Sequence, residues 1–184
     1  MTSEPDVVLV AKRVVLPGVG AFANAMQALQ ERNLVPAIQA LAKQGTPLLG
    51  ICLGMQLLLD ESEEFVVTRG LGLIPGRVVP LAMQATSGAS QKVPHIGWSG
   101  LVPAEEGADW QGTLLQDNGS GEAAYFLHSF MAVPADPRHR LADCIYGGRR
   151  VSAAIARDHI TGCQFHPEKS GEVGLRILRR FCAD

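Results

Sequence analysis

The 184-residue chain predicts an α/β fold in three layers, a mixed β-sheet flanked by helices. Three observations carry this. In the first half, short apolar strand-like runs alternate with helical patterns, the order expected of a parallel sheet covered by helices. In the second half, strand-like runs follow one another across short turns. Such connections imply antiparallel pairing, because a parallel pair needs a long crossover. A helical pattern with one apolar face then closes the chain.

Taken in order, Val14-Val15-Leu16 is a short buried strand that stops at Pro17-Gly18-Val19-Gly20. Ala21 to Arg32 predicts a helix, with Phe22, Ala25, Met26 and Leu29 at helical spacing. Leu34 to Gln44 predicts a second helix, ended by Gly45. Thr46 to Ile51 reads as an apolar strand and Leu53 to Leu59 as the helix after it. Beyond them, Val93 to Val102, Ala124 to Val133, Leu141 to Tyr146, Val151 to Arg157 and Ile160 to Phe165 are strand-like. Gly147-Gly148 and Asp158-His159 supply turns between them. The last helix runs from Gly171 to Phe181, with Val173, Leu175, Ile177, Leu178 and Phe181 available to the core. No internal repeat, low-complexity tract or linker interrupts the chain, so residues 1–184 are read as one domain.

Composition narrows the function. Hydrophobic residues make up 47%, charged residues 18%, and the formal net charge is -2. That is a soluble globular profile, without the basic excess that would suggest nucleic acid or an anionic membrane as partner. The first residues lack the pattern of a secretory signal, and no apolar run is long enough to span a membrane. The cysteines, Cys52, Cys144, Cys163 and Cys182, form no Cys-x-x-Cys pair and fit no zinc spacing, so no metal is expected. A reducing, cytoplasmic setting follows, with Cys144, Cys163 and Cys182 as buried packing residues. Asn118-Gly119-Ser120 reads as a turn rather than a glycosylation site.

Three segments carry chemistry. Gly50-Ile51-Cys52-Leu53-Gly54 has the Gly-x-nucleophile-x-Gly form of a nucleophile elbow, between a buried strand and a helix. The elbow places the Cys52 sulfur at a helix N-terminus, where the dipole is expected to favour thiolate. A small buried Cys in a strand–helix turn is the bland alternative. In Gln164-Phe165-His166-Pro167-Glu168, the proline pushes His166 towards extended backbone. Residues i and i+2 then point the same way, so Glu168 can hold one ring nitrogen of His166 and leave the other free to take a thiol proton. This is the base-plus-orienter half of a Cys-His-Glu triad; an exposed loop His and Glu is the competing reading. A His-x-Glu zinc deaminase is disfavoured because no Pro-Cys-x-x-Cys follows. Finally, the N–H groups of Pro17-Gly18-Val19-Gly20, with that of Leu53, could hold an oxyanion. A phosphate cradle lacks its Gly-Lys-Ser/Thr, and a plain turn remains open.

Together these segments resemble the triad (class I) glutamine amidotransferases. Leu16 to Phe22, Gly50 to Leu58, Gly70-Leu71-Gly72-Leu73-Ile74-Pro75-Gly76, Val93-Pro94-His95-Ile96-Gly97-Trp98 and Gln164 to Ser170 are similar to the glutaminase subunits of imidazole glycerol phosphate synthases, over nearly the whole chain. The resemblance implies hydrolysis of glutamine without a cofactor. Ammonia would pass to a separate (βα)8-barrel cyclase subunit, a heterodimer partner in histidine biosynthesis. It implies Cys52, His166 and Glu168 as catalytic residues. It assigns Gly18, Val19, Gly20, Gly50, Leu53, Gln56, Glu64, His128 and Ser129 to the substrate site, with Glu64 holding the substrate ammonium. It places His95, Trp98 and Lys169 at the partner interface. A solvated Glu64 and a core Trp98 are the bland alternatives.

The chain departs from this family in two places. The family opens with an additional strand, a glycine-containing turn and a helix, whereas Ser3-Glu4-Pro5-Asp6 matches a point well inside it. A strand-plus-helix segment of about 30 residues is therefore expected to be absent. That would leave a sheet edge or helix face uncovered. Its source would be a misplaced start, a truncation or a divergent paralogue. Ser99 stands where Asn is usual after Gly-Trp. The rival functions are an amidotransferase serving another synthase, a catalytically silent binding subunit, and a stand-alone cysteine hydrolase.

Overall fold

Two apolar runs form the parallel end of the main sheet. In the computed structural model, which describes residues 2–183, β1 (Val14–Gly18) pairs in parallel with β2 (Leu48–Cys52), in the register Val14↔Leu48 to Gly18↔Cys52. Every residue of β2 is buried, as a parallel strand covered on both faces requires. Between them lie α2 (Phe22–Glu31) and α3 (Leu34–Lys43), the two helices expected from the spacing. A short helix absent from the sequence reading, α1 (Pro5–Leu9), precedes them; its Val8 is buried and it packs on α3. After β2 comes the single-turn α4 (Leu53–Leu57).

The remaining strands do not form one sheet. The main sheet has the order β1-β2-β12-β11-β10-β7, with β12 (Ile160–Cys163), β11 (Arg149–Arg157), β10 (Arg140–Tyr146) and β7 (Val102–Pro103). Strand β12 is parallel to β2 and antiparallel to β11, so the sheet is mixed, as expected. A second sheet orders β4 (Thr68–Arg69), β3 (Glu61–Ser62), β5 (Gly76–Pro80) and β9 (Phe130–Pro134). A third pairs β6 (His95–Gly100) with β8 (Ala123–His128). The run from Ala124 to Val133, expected as one strand, is therefore broken at Ser129, where the chain changes partner from β6 to β5. Val93 to Val102 likewise splits at the buried Leu101. Alternating apolar residues report an exposed and a buried face; they do not report which strand lies alongside.

Two apolar clusters complete the three layers. Phe22, Met26, Leu29, Ile38 and Leu41 of α2 and α3 meet Leu48, Ile155 and Ile160 on one face of the sheet. On the other face, Leu49, Ile51, Ala153 and Cys163 meet Ile177 and Phe181 of α5 (Gly171–Cys182). The sheet begins at β1 as an edge strand, so Val14-Val15-Leu16, expected to be buried, is only half-buried, with Val15 43% exposed. Among the described residues, no helix is long and apolar enough to cross a membrane. Cys144 and Cys163 are buried, and burial pushes both thiols up to about 12. Cys182, expected in the core, is exposed: it falls on the outer side of the last turn of α5, beyond the buried Phe181.

Candidate active site

The strand-to-helix turn at Cys52 is as sharp as its sequence implies. Cys52 has φ 54° and ψ −112°, a left-handed backbone that a side chain rarely adopts. Glycine at position 50 is a steric requirement, because a Cβ there would lie 2.7 Å from the backbone of Gly54 and Met55. The turn leaves the sulfur in a cavity of about 270 Å³. Val19, Gly20, Cys52, Leu53, Gln56, Glu64, His128, Ser129 and His166 line it, all named from sequence. Phe130, which follows His128 and Ser129 in the run expected to approach the substrate, lines it too; Pro94 and Leu127 also do and are not among the expected site residues. Gly18 and Gly50 shape the site from behind: Gly18 is the register partner of Cys52 across β1 and β2.

His166 and Glu168 meet, but not along extended backbone as expected: His166 alone is extended, at φ −97° and ψ 97°, and Pro167–Lys169 form a 3-10 turn that brings Glu168 back to the imidazole. His166 Nδ1–H donates to Glu168 Oε1 at 2.8 Å. That fixes the tautomer, leaving the Nε2 lone pair as the ring's acceptor. Nε2 is buried and has no hydrogen-bond partner among the described residues. The Cys52 thiol is not bonded to it in this structure; Sγ donates to Leu127 O at 3.8 Å. The expected preference for thiolate is corrected here. Burial pushes the Cys52 thiol up, ahead of the lowering by the Leu53 N–H, and the Glu168 charge adds to the rise. Gln164 and Lys169 lower it by less. The helix behind the sulfur has five residues, too few for its dipole to outweigh the lost hydration.

Gln56 is buried and donates from Nε2 to Phe130 O at 3.1 Å and to Gln164 Oε1 at 3.0 Å. Glu64 sits at the N-terminus of α2, where its Oε2 accepts the Phe22 N–H at 2.6 Å. Ala21, at the N-cap, offers no side-chain cap, so this carboxylate from a distant loop caps the helix.

His128 extends the site inwards. Its Nδ1–H donates to Phe130 O at 2.7 Å, so its Nε2 must accept. His95 Nδ1–H supplies that bond at 3.1 Å, and His95 Nε2 accepts from the Ser99 hydroxyl at 3.0 Å. His95 also stacks on Phe126, with ring centroids 4.9 Å apart, and on Tyr146, at 4.0 Å. Burial holds both histidines at about 4, well below the ordinary range for imidazole, so both are neutral near pH 7. His95, placed by resemblance at the partner-facing surface, is thus 2% exposed and has no outward face. The outer side of β6 and β8 is presented instead by Ile96, Trp98 and Leu127, at 60%, 57% and 40% exposed. Lys169 is exposed in the turn after Glu168. Among the described residues, no group of three or more His, Cys, Asp or Glu side chains could hold a metal ion.

Comparison with known proteins finds amidotransferases. The family model for "Glutamine amidotransferase class-I" matches residues 3–184. A protein of Legionella pneumophila (strain Lens), named imidazole glycerol phosphate synthase subunit HisH 1, is 49% identical, covering 98% of this chain and 85% of that protein. The HisH subunit of Zymomonas mobilis is 50% identical over 98% of this chain and 80% of its own length. Among solved structures, one titled as a glutamine amidotransferase superposes with a TM-score of 0.70 at 16% identity, covering 99% of this chain and 85% of that one. The glutaminase domain of Trypanosoma brucei CTPS with bound acivicin gives 0.60 at 15% identity, covering 97% and 74%. At such identities the structures speak to the fold alone.

Proposed function

The chain belongs to the class-I glutamine amidotransferase family, and from that membership we propose that it is the glutaminase subunit of an imidazole glycerol phosphate synthase. The observation that supports the chemistry best is the His166–Glu168 bond of 2.8 Å, with the other imidazole nitrogen left as a buried acceptor at the cavity that holds Cys52.

Glutamine enters this cavity with its carboxamide carbon at Cys52. Glu64 keeps one carboxylate oxygen beyond its bond to Phe22 for the substrate ammonium. Gln56 and the backbone at His128 and Ser129 line the rest of the pocket. Because burial disfavours a lone thiolate, the sulfur ionises as its proton goes to His166 Nε2, so anion and imidazolium form together. Glu168 stabilises that imidazolium through Nδ1–H. The sulfur attacks the carboxamide carbon, and N–H groups near Val19 and Leu53 hold the oxygen as it becomes negative. His166 returns the proton to nitrogen, which leaves as ammonia. Water, deprotonated by the same imidazole, then cleaves the γ-glutamyl thioester to glutamate and frees the sulfur.

The consumer of ammonia in this proposal is a (βα)8-barrel cyclase subunit, bound as a heterodimer in histidine biosynthesis. The name of the closely similar Legionella and Zymomonas subunits supports that partner. The partner surface is the outer side of β6 and β8 around Trp98, with Lys169 beside the catalytic turn. A cytoplasmic setting suits a nucleophile that must stay reduced. Cys52→Ala should abolish glutamate release from glutamine in the presence of the cyclase while leaving the complex intact by gel filtration. Normal turnover by this variant would overturn the assignment of the nucleophile. Absence of any complex or stimulation with the cyclase would favour a different synthase.

A further inference from the structure

The Phe130 carbonyl can only accept hydrogen bonds, and that sets the orientation of the side chains behind the nucleophile. Two donors reach it: Gln56 Nε2 at 3.1 Å and His128 Nδ1 at 2.7 Å. The Gln56 atom on Phe130 O must therefore be nitrogen, although amide nitrogen and oxygen are otherwise easily exchanged. The same nitrogen lies 3.0 Å from the Gln164 carboxamide, so the Gln164 atom facing it must be oxygen. The NH2 end of Gln164 is thereby turned to the sulfur of Cys52, at 3.8 Å. Gln164 is fully buried, and its backbone N–H is bonded to Ala153 O at 2.8 Å, so the residue is held at the sheet. A carboxamide without access to water is destabilising unless both ends are paired. Among the described residues, one end has Gln56 and the other has only the nucleophile.

We propose that Gln164 is a further catalytic residue, a hydrogen-bond donor to the Cys52 sulfur aimed by Gln56 and the Phe130 carbonyl. The proposal rests on the glutaminase reading and adds a group outside the Cys-His-Glu triad. A donor to sulfur is bound most strongly when the sulfur is an anion. That state occurs twice in the cycle, before attack on the carboxamide and when water displaces sulfur from the acyl carbon. Gln164 thus assists both formation of the thioester and departure of the thiolate. The same bond opposes the effect of burial on the thiol. Gln164 is absent from the cavity wall, so its effect falls on the sulfur rather than on glutamine binding.

The test is the pH dependence of Cys52 alkylation by iodoacetamide, read residue by residue by mass spectrometry. It needs no glutamine turnover, and the exposed Cys182 serves as an internal reference. Gln164→Met removes the donor at similar volume. Gln164→Glu keeps an acceptor for Gln56 but turns an oxygen towards sulfur. The Cys52 midpoint should rise by about one pH unit in Gln164→Met, a roughly tenfold loss of thiolate at a fixed lower pH, and further in Gln164→Glu. The Cys182 midpoint should stay where it is. Unchanged Cys52 midpoints in both folded variants would overturn the proposal. Should neither variant fold, the wild-type protein still decides. The Gln164 side-chain NH2 resonances should titrate with Cys52 and cease to do so once Cys52 is alkylated; resonances indifferent to the sulfur would overturn the proposal. Glutamine hydrolysis by wild-type protein with the cyclase is measured alongside, and its failure would overturn the glutaminase reading while leaving thiol ionisation legible.

Discussion

His95 and His128 show how a residue's surroundings decide its chemistry. Both are buried, hydrogen-bonded to one another at 3.1 Å and held neutral, with titration at about 4 against an ordinary value of 6.5. The sign of the consequence follows from proton counting. In the unfolded chain these rings take up protons as pH falls through 6.5, and in the folded chain only near 4. Between those values the unfolded state binds more protons, so stability falls as pH drops through that window. Each ring carries at most about 3 kcal/mol on this basis, and the two share it because they are in contact. The midpoint of thermal unfolding should therefore decline between pH 6.5 and pH 4.5, and His95→Gln should flatten part of that decline; scanning calorimetry at stepped pH reads both. A profile flat across the window would mean that the two rings are not held neutral. Nothing in Val93-Pro94-His95-Ile96-Gly97-Trp98 taken alone reveals the inward side of His95, because that depends on where β8 lies and on the rings of Phe126 and Tyr146. The His166–Glu168 pair, by contrast, is legible in the sequence as His-Pro-Glu, although the 3-10 turn over Pro167–Lys169, and not extended backbone, is what joins the two side chains.

Helix α5 packs against the catalytic turn, most tightly at Gly174. A Cβ on Gly174 would lie 2.6 Å from the carbonyl carbon of Pro167 and 2.8 Å from its Cα. Those atoms are backbone and cannot move aside as a flexible side chain would. Pro167 stands between His166 and Glu168, so any shift there changes the 2.8 Å bond that sets the imidazole. Gly174→Ala should lower kcat by about tenfold or more with a smaller change in KM, and destabilise the fold by about 1–3 kcal/mol. Steady-state kinetics and urea unfolding check the two effects; unaltered kcat would show that α5 and the turn move independently. The amphipathic spacing of α5 is plain in the sequence, as is its buried side at Ile177 and Phe181, but Leu175, expected with them, is 43% exposed. Its glycine could not be assigned a role until the helix was seen against the turn. Strands β8 and β9 make the same point: their apolar pattern was legible, their division between two sheets was not.

Across the whole molecule, one side of β6 and β8 remains open although its opposite side is core. Ile96 lies opposite Leu127 and Trp98 opposite Tyr125, with the Trp98 and Tyr125 rings edge to face at 5.9 Å. Leu127 also lines the active-site cavity, so this apolar patch is continuous with the wall of the pocket. An exposed cluster of this kind suits a partner surface, with tryptophan as its anchor. Trp98→Ala should weaken the proposed complex with a cyclase subunit by about tenfold or more in titration calorimetry, and leave the thermal midpoint of this chain alone nearly unchanged. Undiminished affinity would move the partner surface elsewhere.

The nucleophile elbow, the His-Pro-Glu pair, the α/β class and the helices that flank the sheet are all legible in the order of residues. Each of these is settled within a few residues, by glycine sterics, by proline geometry or by the period of apolar side chains. The tertiary structure alone decided that burial raises the Cys52 thiol, that His95 faces inward, and that the Gln164 carboxamide is turned to the sulfur. Those properties belong to distances between segments remote in the chain. Gln56, Phe130 and Gln164 acquire a direction only when folding brings them to one carbonyl, and hydration is lost only when the last layer closes over the sheet.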